Sequence, residues 1–195
     1  KGYFCTCMNS SSEAMSSLYT QEVLEFAAVG VRLAALLEQA SDQSSFIQQA
    51  VLQLPQLYLS TLRLPDYLYD SETDYLEEYI TEGAYEAVRE RISSLLGEGD
   101  AYLTTQSDQM QYSDTPIAAF ISEALADVYQ QVGNLLGILR DENEEALPAA
   151  IGRCRYHFSE YWGRELLEAL TALHQLYTQQ ETTDEEDPTN LEDEN

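Results

Sequence analysis

Glu123 and Asp127 stand one helical turn apart in the stretch SEALADVYQQ, Ser122–Gln131. Two carboxylates at that spacing share a helix face and repel each other by about 0.2–0.5 kcal/mol unless a cation lies between them. Three arrangements answer to the pattern. A magnesium ion takes one or two carboxylates and completes its shell with water. An ion pair with Arg89, Arg153 or Arg164 neutralises the acids without any chemistry. An unpartnered pair fits the solvated back of an amphipathic helix. At 100° per residue, Ile117, Ile121, Ala124, Leu125, Val128, Val132, Leu135 and Leu139 fall in one sector. Glu123 and Asp127 fall opposite it, with Gln130 and Asn134, so the wheel predicts that both acids occupy a polar face.

The other chemically capable residues are sparse. The two histidines, His157 and His174, are separated along one expected helix by about 25 Å, so they do not share a metal within one chain. His174 sits in ALHQL between Leu173 and Leu176 and reads as a packing histidine. In RCRYHF, Cys154 and His157 lie on one helical face. Cys5 and Cys7 would bring the set to four zinc-type ligands, but the spacing matches no zinc module, and Cys154 reads more simply as a small buried residue. No nucleophile elbow and no phosphate-cradling glycine loop occurs. Trp162, the only tryptophan, is followed by Gly163 in the middle of an expected helix, where glycine costs about 1 kcal/mol relative to alanine. A crowded helix crossing accounts for this pair, as does a groove for an aromatic ligand or a peptide.

The elements that must position these residues are helical. The first helix is expected over residues 18–40, with Val23, Phe26, Ala27, Gly30, Leu33, Ala34 and Leu37 at helical spacing. The second follows Ser44 and runs to Leu62, with a kink or break expected near Leu54 because of Pro55. Residues 66–80 alternate tyrosines and acids without periodicity and read as a loop with one or two short helices. Thr81 caps the third helix and Glu82 enters its first turn. Gly97 and Gly99 end it, and a polar linker follows over residues 100–113. The fourth helix is expected to start at SDTP, with Asp114 or Thr115 as cap and Pro116 in the first helical position, and to run to Arg140. The fifth covers residues 144–178. No strand pattern and no internal repeat is visible. The class is therefore all-α, an irregular bundle of about five main helices plus short ones. Residues 1–15 read as a flexible leader, 16–180 as a single domain and 181–195 as a disordered acidic tail.

Composition bounds the function. The chain has 195 residues, 44% of them hydrophobic, which suffices for a substantial core. Thirty-five acids against nine lysines and arginines give a formal net charge of −26. Such a field repels nucleic-acid backbones and anionic membranes and favours basic proteins or cations as partners. The only lysine is Lys1; the remaining cations are arginines, suited to bidentate internal pairing. No apolar run is long enough to span a bilayer, since FAAVGVRLAALL is short and broken by Arg32. Three cysteines make no disulfide framework, so a reducing, cytoplasmic setting is expected.

The blocks TEGAYEAVRERISSLLGEGDAYL, SDTPIAAFISEALADVYQQV and FSEYWGRELLEALTALHQL resemble, in order and spacing, a bacterial domain-of-unknown-function family, number five thousand and sixty-three. The resemblance runs from the first helix to His174. It implies an all-helical cytoplasmic protein without an assigned activity, and it marks Glu123, Asp127, Tyr129, Trp162, Gly163 and His174 as positions of its pattern. EALADVY is also similar to the carboxylate motif of the all-α nucleoside triphosphate pyrophosphohydrolases, which hold magnesium between acid pairs. EEYITE, with Glu77, Glu78 and Glu82, would be the other half, giving Glu78, Glu82, Glu123 and Asp127 as ligands. The sequence departs from that motif in spacing Glu123 and Asp127 four apart rather than three. Two function classes follow: a non-enzymatic interaction or regulatory protein needing no cofactor, favoured by the absence of a catalytic constellation, and a magnesium-dependent phosphoanhydride hydrolase.

Overall fold

The structure, a computed structural model, describes residues 18–104 and 115–185. The expected leader over residues 1–15 lies outside them, as do residues 186–195 of the expected tail. Among the described residues, six α-helices carry the fold: α1 (Gln21–Gln39), α2 (Gln43–Arg63), α3 (Glu82–Leu96), α4 (Ile121–Arg140), α5 (Leu147–His157) and α6 (Gly163–Glu185). A π-helical turn, Phe158–Trp162, joins α5 to α6, so the fifth expected helix is one helical run with a changed register inside it. That run also continues to Glu185, past the expected end near Thr178. The all-α class holds.

Local signals explain most helix starts. Thr20, Asp42 and Thr81 are extended residues whose side chains accept the backbone N–H of Val23, Ser45 and Ala84. Gly97 ends α3 with φ +56°, a conformation that favours glycine. Pro55 does not break α2. It stands on the exposed face, while Leu54 and Leu57 on either side of it are fully buried and hold the helix to the core.

Two expectations are corrected around the start of α4. Residues 101–104 and 117–120 form a two-stranded antiparallel hairpin, with Ala101 opposite Phe120 and Thr104 opposite Ile117. Pro116 therefore precedes a strand rather than opening a helix, and the stretch of residues 100–113 is not wholly linker. Helix α4 begins at Ile121, and its nominal cap residue, Phe120, has no side-chain acceptor to cap it. Asp100 takes over that role from a distance. Its Oδ1 accepts the Ser122 backbone N–H at 2.8 Å and its Oδ2 accepts the Ser122 hydroxyl at 2.7 Å. Asp100 is only 3% exposed, so a buried carboxylate meets the positive end of the α4 dipole. Local pattern could not show this, because donor and acceptor are twenty-two positions apart.

Helix α4 is the axis of the domain. It packs against α1, α3, α5 and α6, and its buried residues include Ser122, Tyr129, Gly133, Asn134 and Gly137 beside the apolar stripe. Residues 66–80 form an irregular strap with one turn rather than short helices, and the strap covers the side of α4 that the wheel assigned to water. Glycines let it approach. A Cβ at Gly133 would lie 2.5 Å from the Ile80 side chain, and one at Gly137 would lie 2.1 Å from the Tyr79 ring. On α5, a Cβ at Gly152 would lie 2.7 Å from the Tyr67 carbonyl.

Two outcomes follow. Gly137→Ala, which by helix propensity alone would stabilise by about 1 kcal/mol, instead destabilises by about 2 kcal/mol through the clash with Tyr79, and Tyr79→Ala partly restores it; chemical denaturation of the three variants measures both signs. Asp100→Ala lowers stability by about 1–3 kcal/mol in the same assay, since it strands two buried donors of Ser122.

Candidate functional site

The first half of α4 and the first turns of α6 face each other across a cleft closed at one end by the hairpin. The cleft measures about 150 Å³ and is lined by Tyr102, Phe120, Glu123, Asp127, Glu165 and Glu168, with Arg164 at its side. Glu123 is exposed at the mouth. Asp127 is not on a solvated back. It is half-buried, and its Oδ1 accepts the Tyr85 hydroxyl of α3 at 3.0 Å. The wheel placed it correctly opposite the apolar stripe, but α3 and α6 cover that side.

Asp127 and Glu165 lie within hydrogen-bonding reach of each other. Burial raises the Glu165 carboxyl, the neighbouring Asp127 charge raises it further, and together they take it to about 7. Burial also raises Asp127, against the lowering effect of the Tyr85 hydroxyl and of Glu165 itself. At this range the Asp127 charge disfavours the ionised form of Glu165, and partial burial disfavours it in both carboxyls. Oε2 of Glu165 is shut off from solvent and has no hydrogen-bond partner among the described residues. Arg164 lowers the Glu165 carboxyl only as a smaller influence, and its Nε stands 3.9 Å from Glu168. Tyrosines complete the lining. The Tyr102 hydroxyl donates to Glu168 at 3.5 Å, and Tyr161 is pushed up to about 12, first by burial and then by the charges of Asp127 and Glu165.

A second polar cluster lies further along α4. Asn134 accepts the backbone N–H groups of Tyr79 and Ile80 at 2.7 and 2.9 Å and donates to Glu78 at 2.7 Å. Glu78 also receives Arg153 at 3.2 Å. His157 bonds Gln131 through Nδ1 at 2.8 Å and touches the rings of Tyr69, Tyr156 and Tyr161. Burial, and then Arg153, lower its pKa.

The structure thus places the six pattern residues apart. Glu123 and Asp127 share the cleft. Tyr129 faces α1, with its hydroxyl donating to Glu38 at 2.7 Å. Trp162 is 0% exposed, so it lines no groove; its indole N–H donates to the Cys154 carbonyl at 3.1 Å, and it packs against Phe158 at 4.7 Å. A Cβ at Gly163 would lie 2.6 Å from the Phe158 carbonyl, so the glycine is demanded by the π turn rather than by a second helix. His174 is exposed, not packed, because Ala172 and Leu173 take the inward positions of α6. Cys154 is buried, and burial pushes its thiol up to about 12, which leaves it a packing residue; Cys5 and Cys7 lie outside the described residues. Glu78 is engaged with Arg153 and Asn134, and Glu82 is exposed in the first turn of α3. Glu78, Glu82, Glu123 and Asp127 therefore do not converge, and among the described residues no three of His, Cys, Asp or Glu are grouped to hold one metal ion. Glu165, Glu168, Tyr85 and Tyr102 were not singled out by sequence. The only signal for the first two was an i, i+3 acid pair beside the apolar stripe of α6.

The family model described as Domain of unknown function (DUF5063) matches residues 17–179. The chain belongs to this family. A crystal structure of protein BF1032 from Bacteroides fragilis is similar to this DUF5063 chain over 82% of its length and 94% of the other, at 28% identity and a TM-score of 0.70. No curated protein matches it. No helix among the described residues of the DUF5063 domain is long and apolar enough to cross a membrane.

The raised Glu165 carboxyl makes stability depend on pH. The Glu165 carboxyl titrates higher folded than unfolded, so the folded state binds the extra proton and stability falls as pH rises from about 4.5 through 7. Glu165→Gln removes this loss: the variant matches the parent near pH 5 and exceeds it near pH 8, by about 1 kcal/mol once solvent screening of the half-exposed group is allowed for. Thermal unfolding of both proteins across that range measures the difference.

Proposed function

We propose that this DUF5063 protein is a non-enzymatic helical interaction or regulatory domain that receives a cationic side chain of a basic protein partner in the cleft between α4 and α6. The observation behind this reading is that Asp127 and Glu165 line one cleft, where burial raises both carboxyls and Arg164 lowers Glu165 only as a smaller influence. An incoming ammonium or guanidinium would favour their ionised forms, and Glu123 and Glu168 would add charge at the mouth and floor. Tyr102 and Phe120 supply ring faces and apolar surface for the stem of a long cationic side chain. The formal charge of −26 would steer a basic partner towards the whole molecule.

Calorimetric titration with a deca-arginine peptide tests the reading. Affinity is expected to rise between pH 6 and pH 8 with release of about one proton, because the cation favours the ionised pair. It is expected to fall with salt. Asp127→Asn combined with Glu165→Gln should weaken binding at least about tenfold, or about 1.4 kcal/mol, while Glu72→Gln with Asp74→Asn on the distant strap should not. Equal losses for both pairs, or binding without proton release, would count against the cleft.

A further inference from the structure

Helix α2 is an electrostatic exception. Of the thirty-five acids in the chain, none lies among its twenty-one residues, and its only charge is Arg63 near the end. Its exposed side is made of glutamines, serines and leucines, with Leu52 66% and Leu59 49% exposed and Pro55 and Leu62 beside them. At 100° per residue these four span one outward sector. The adjacent helix α1 carries a matching stripe. Leu24, Ala28, Val31 and Ala35 recur at i, i+4, i+7 and i+11, and Leu24 and Val31 are 55% and 58% exposed. A narrow polar seam joins the stripes: Glu25 meets Arg63 at 3.6 Å, and Arg32 donates to Gln56 at 3.3 Å.

This face pairs two apolar stripes across a narrow seam that carries both signs of charge, on a molecule that is otherwise densely anionic. Its occupant follows from its charges. A basic partner would meet Arg32 and Arg63 and gain nothing from the acid-free α2. A second copy fits. Glu25 and Arg32 are one heptad apart on α1, so a twofold axis passing near Ala28 brings Arg32 of each copy to Glu25 of the other. It also lays Leu24 and Val31 of one copy against Val31 and Leu24 of its mate, with the small Ala28 at the crossing point. The neutral α2 faces are then the surfaces that two anionic molecules can press together at least electrostatic cost. Two helices about 30 Å long and about 10 Å apart present roughly 600 Å² in outline, comparable with the roughly 800 Å² per partner of a stable complex once side-chain relief is included. None of these residues lines the acidic cleft.

We propose that the outer face of α1 and α2 is a homodimer interface that forms a four-helix layer about a twofold axis near Ala28. Sedimentation velocity over a micromolar concentration series should show a species of twice 22.0 kDa. Its association should strengthen with added salt, because screening relieves repulsion between like-charged copies, which is opposite to the salt response of a basic partner. Val31→Glu with Leu59→Glu should shift the equilibrium at least tenfold towards monomer with unchanged circular dichroism, whereas Leu103→Glu, another exposed apolar position, should not. Should the double variant fold poorly, Ala28→Cys in a background of Cys5→Ser and Cys7→Ser reports independently, by forming a covalent dimer on mild oxidation. A monomer at every concentration and salt overturns the proposal, even if another protein occupies the face. So does a dimer that weakens with salt or is broken by Leu103→Glu, or the absence of a cross-link at Ala28.

Discussion

Helix α4 is taken into the molecule on nearly every side, and every polar group it carries must then be met by a partner that arrives with the covering element. Asp100 meets Ser122 from the turn after α3. Tyr85 meets Asp127 from α3, Glu38 meets Tyr129 from α1, His157 meets Gln131 from α5, and the strap meets Asn134. The arrangement of the surrounding helices is in effect a list of answers to the polar residues of one helix. Where the answer is another acid rather than a donor, as with Glu165 opposite Asp127, the polar groups are left incompletely met, and the candidate site is found there.

The chain manages this with few cations by using tyrosine as its neutral donor. The hydroxyls of Tyr79, Tyr85, Tyr102 and Tyr129 each go to a carboxylate, on Asp141, Asp127, Glu168 and Glu38 respectively. A phenol gives a carboxylate one hydrogen bond without adding charge, and its ring buries apolar area that an ammonium cannot. Burial raises the pKa of Tyr85, Tyr102 and Tyr129 first, with the carboxylates adding to it, so the donors stay protonated. The arginines are kept for structural positions: Arg153 reaches Glu78, and Arg155 reaches the Leu64 carbonyl at the end of α2.

What could be read from the sequence was local. The Thr81 cap, the Gly97 stop and the apolar stripes of α1 and α4 rest on residues within one or two turns of each other, and the structure has them where the spacing puts them. Misreadings arose where partners are distant. Pro116 suits the first turn of a helix, but it also suits the approach to a strand, and only the pairing with residues 101–104 decides between them. The polar sector of α4 suited water until the strap, α3 and α6 were laid on it. His174 was read from its neighbours in sequence, whereas the π turn at residues 158–162 resets the phase of α6, which a regular wheel carried through from α5 does not follow. The cleft was half legible: Glu123 and Asp127 were visible as a pair, while Glu165 became visible only when two helices were brought together.

The strap over Gly133 and Gly137 also has a meaning in time. Its hydrogen bonds to Asn134 join residues fifty-four and fifty-five positions apart, and the surface they use exists only once α4 has formed against α5. Closing so long a loop yields nothing until its far end arrives. Were the strap to lift, it would uncover a helix face made of Gly133, Gly137 and Asn134.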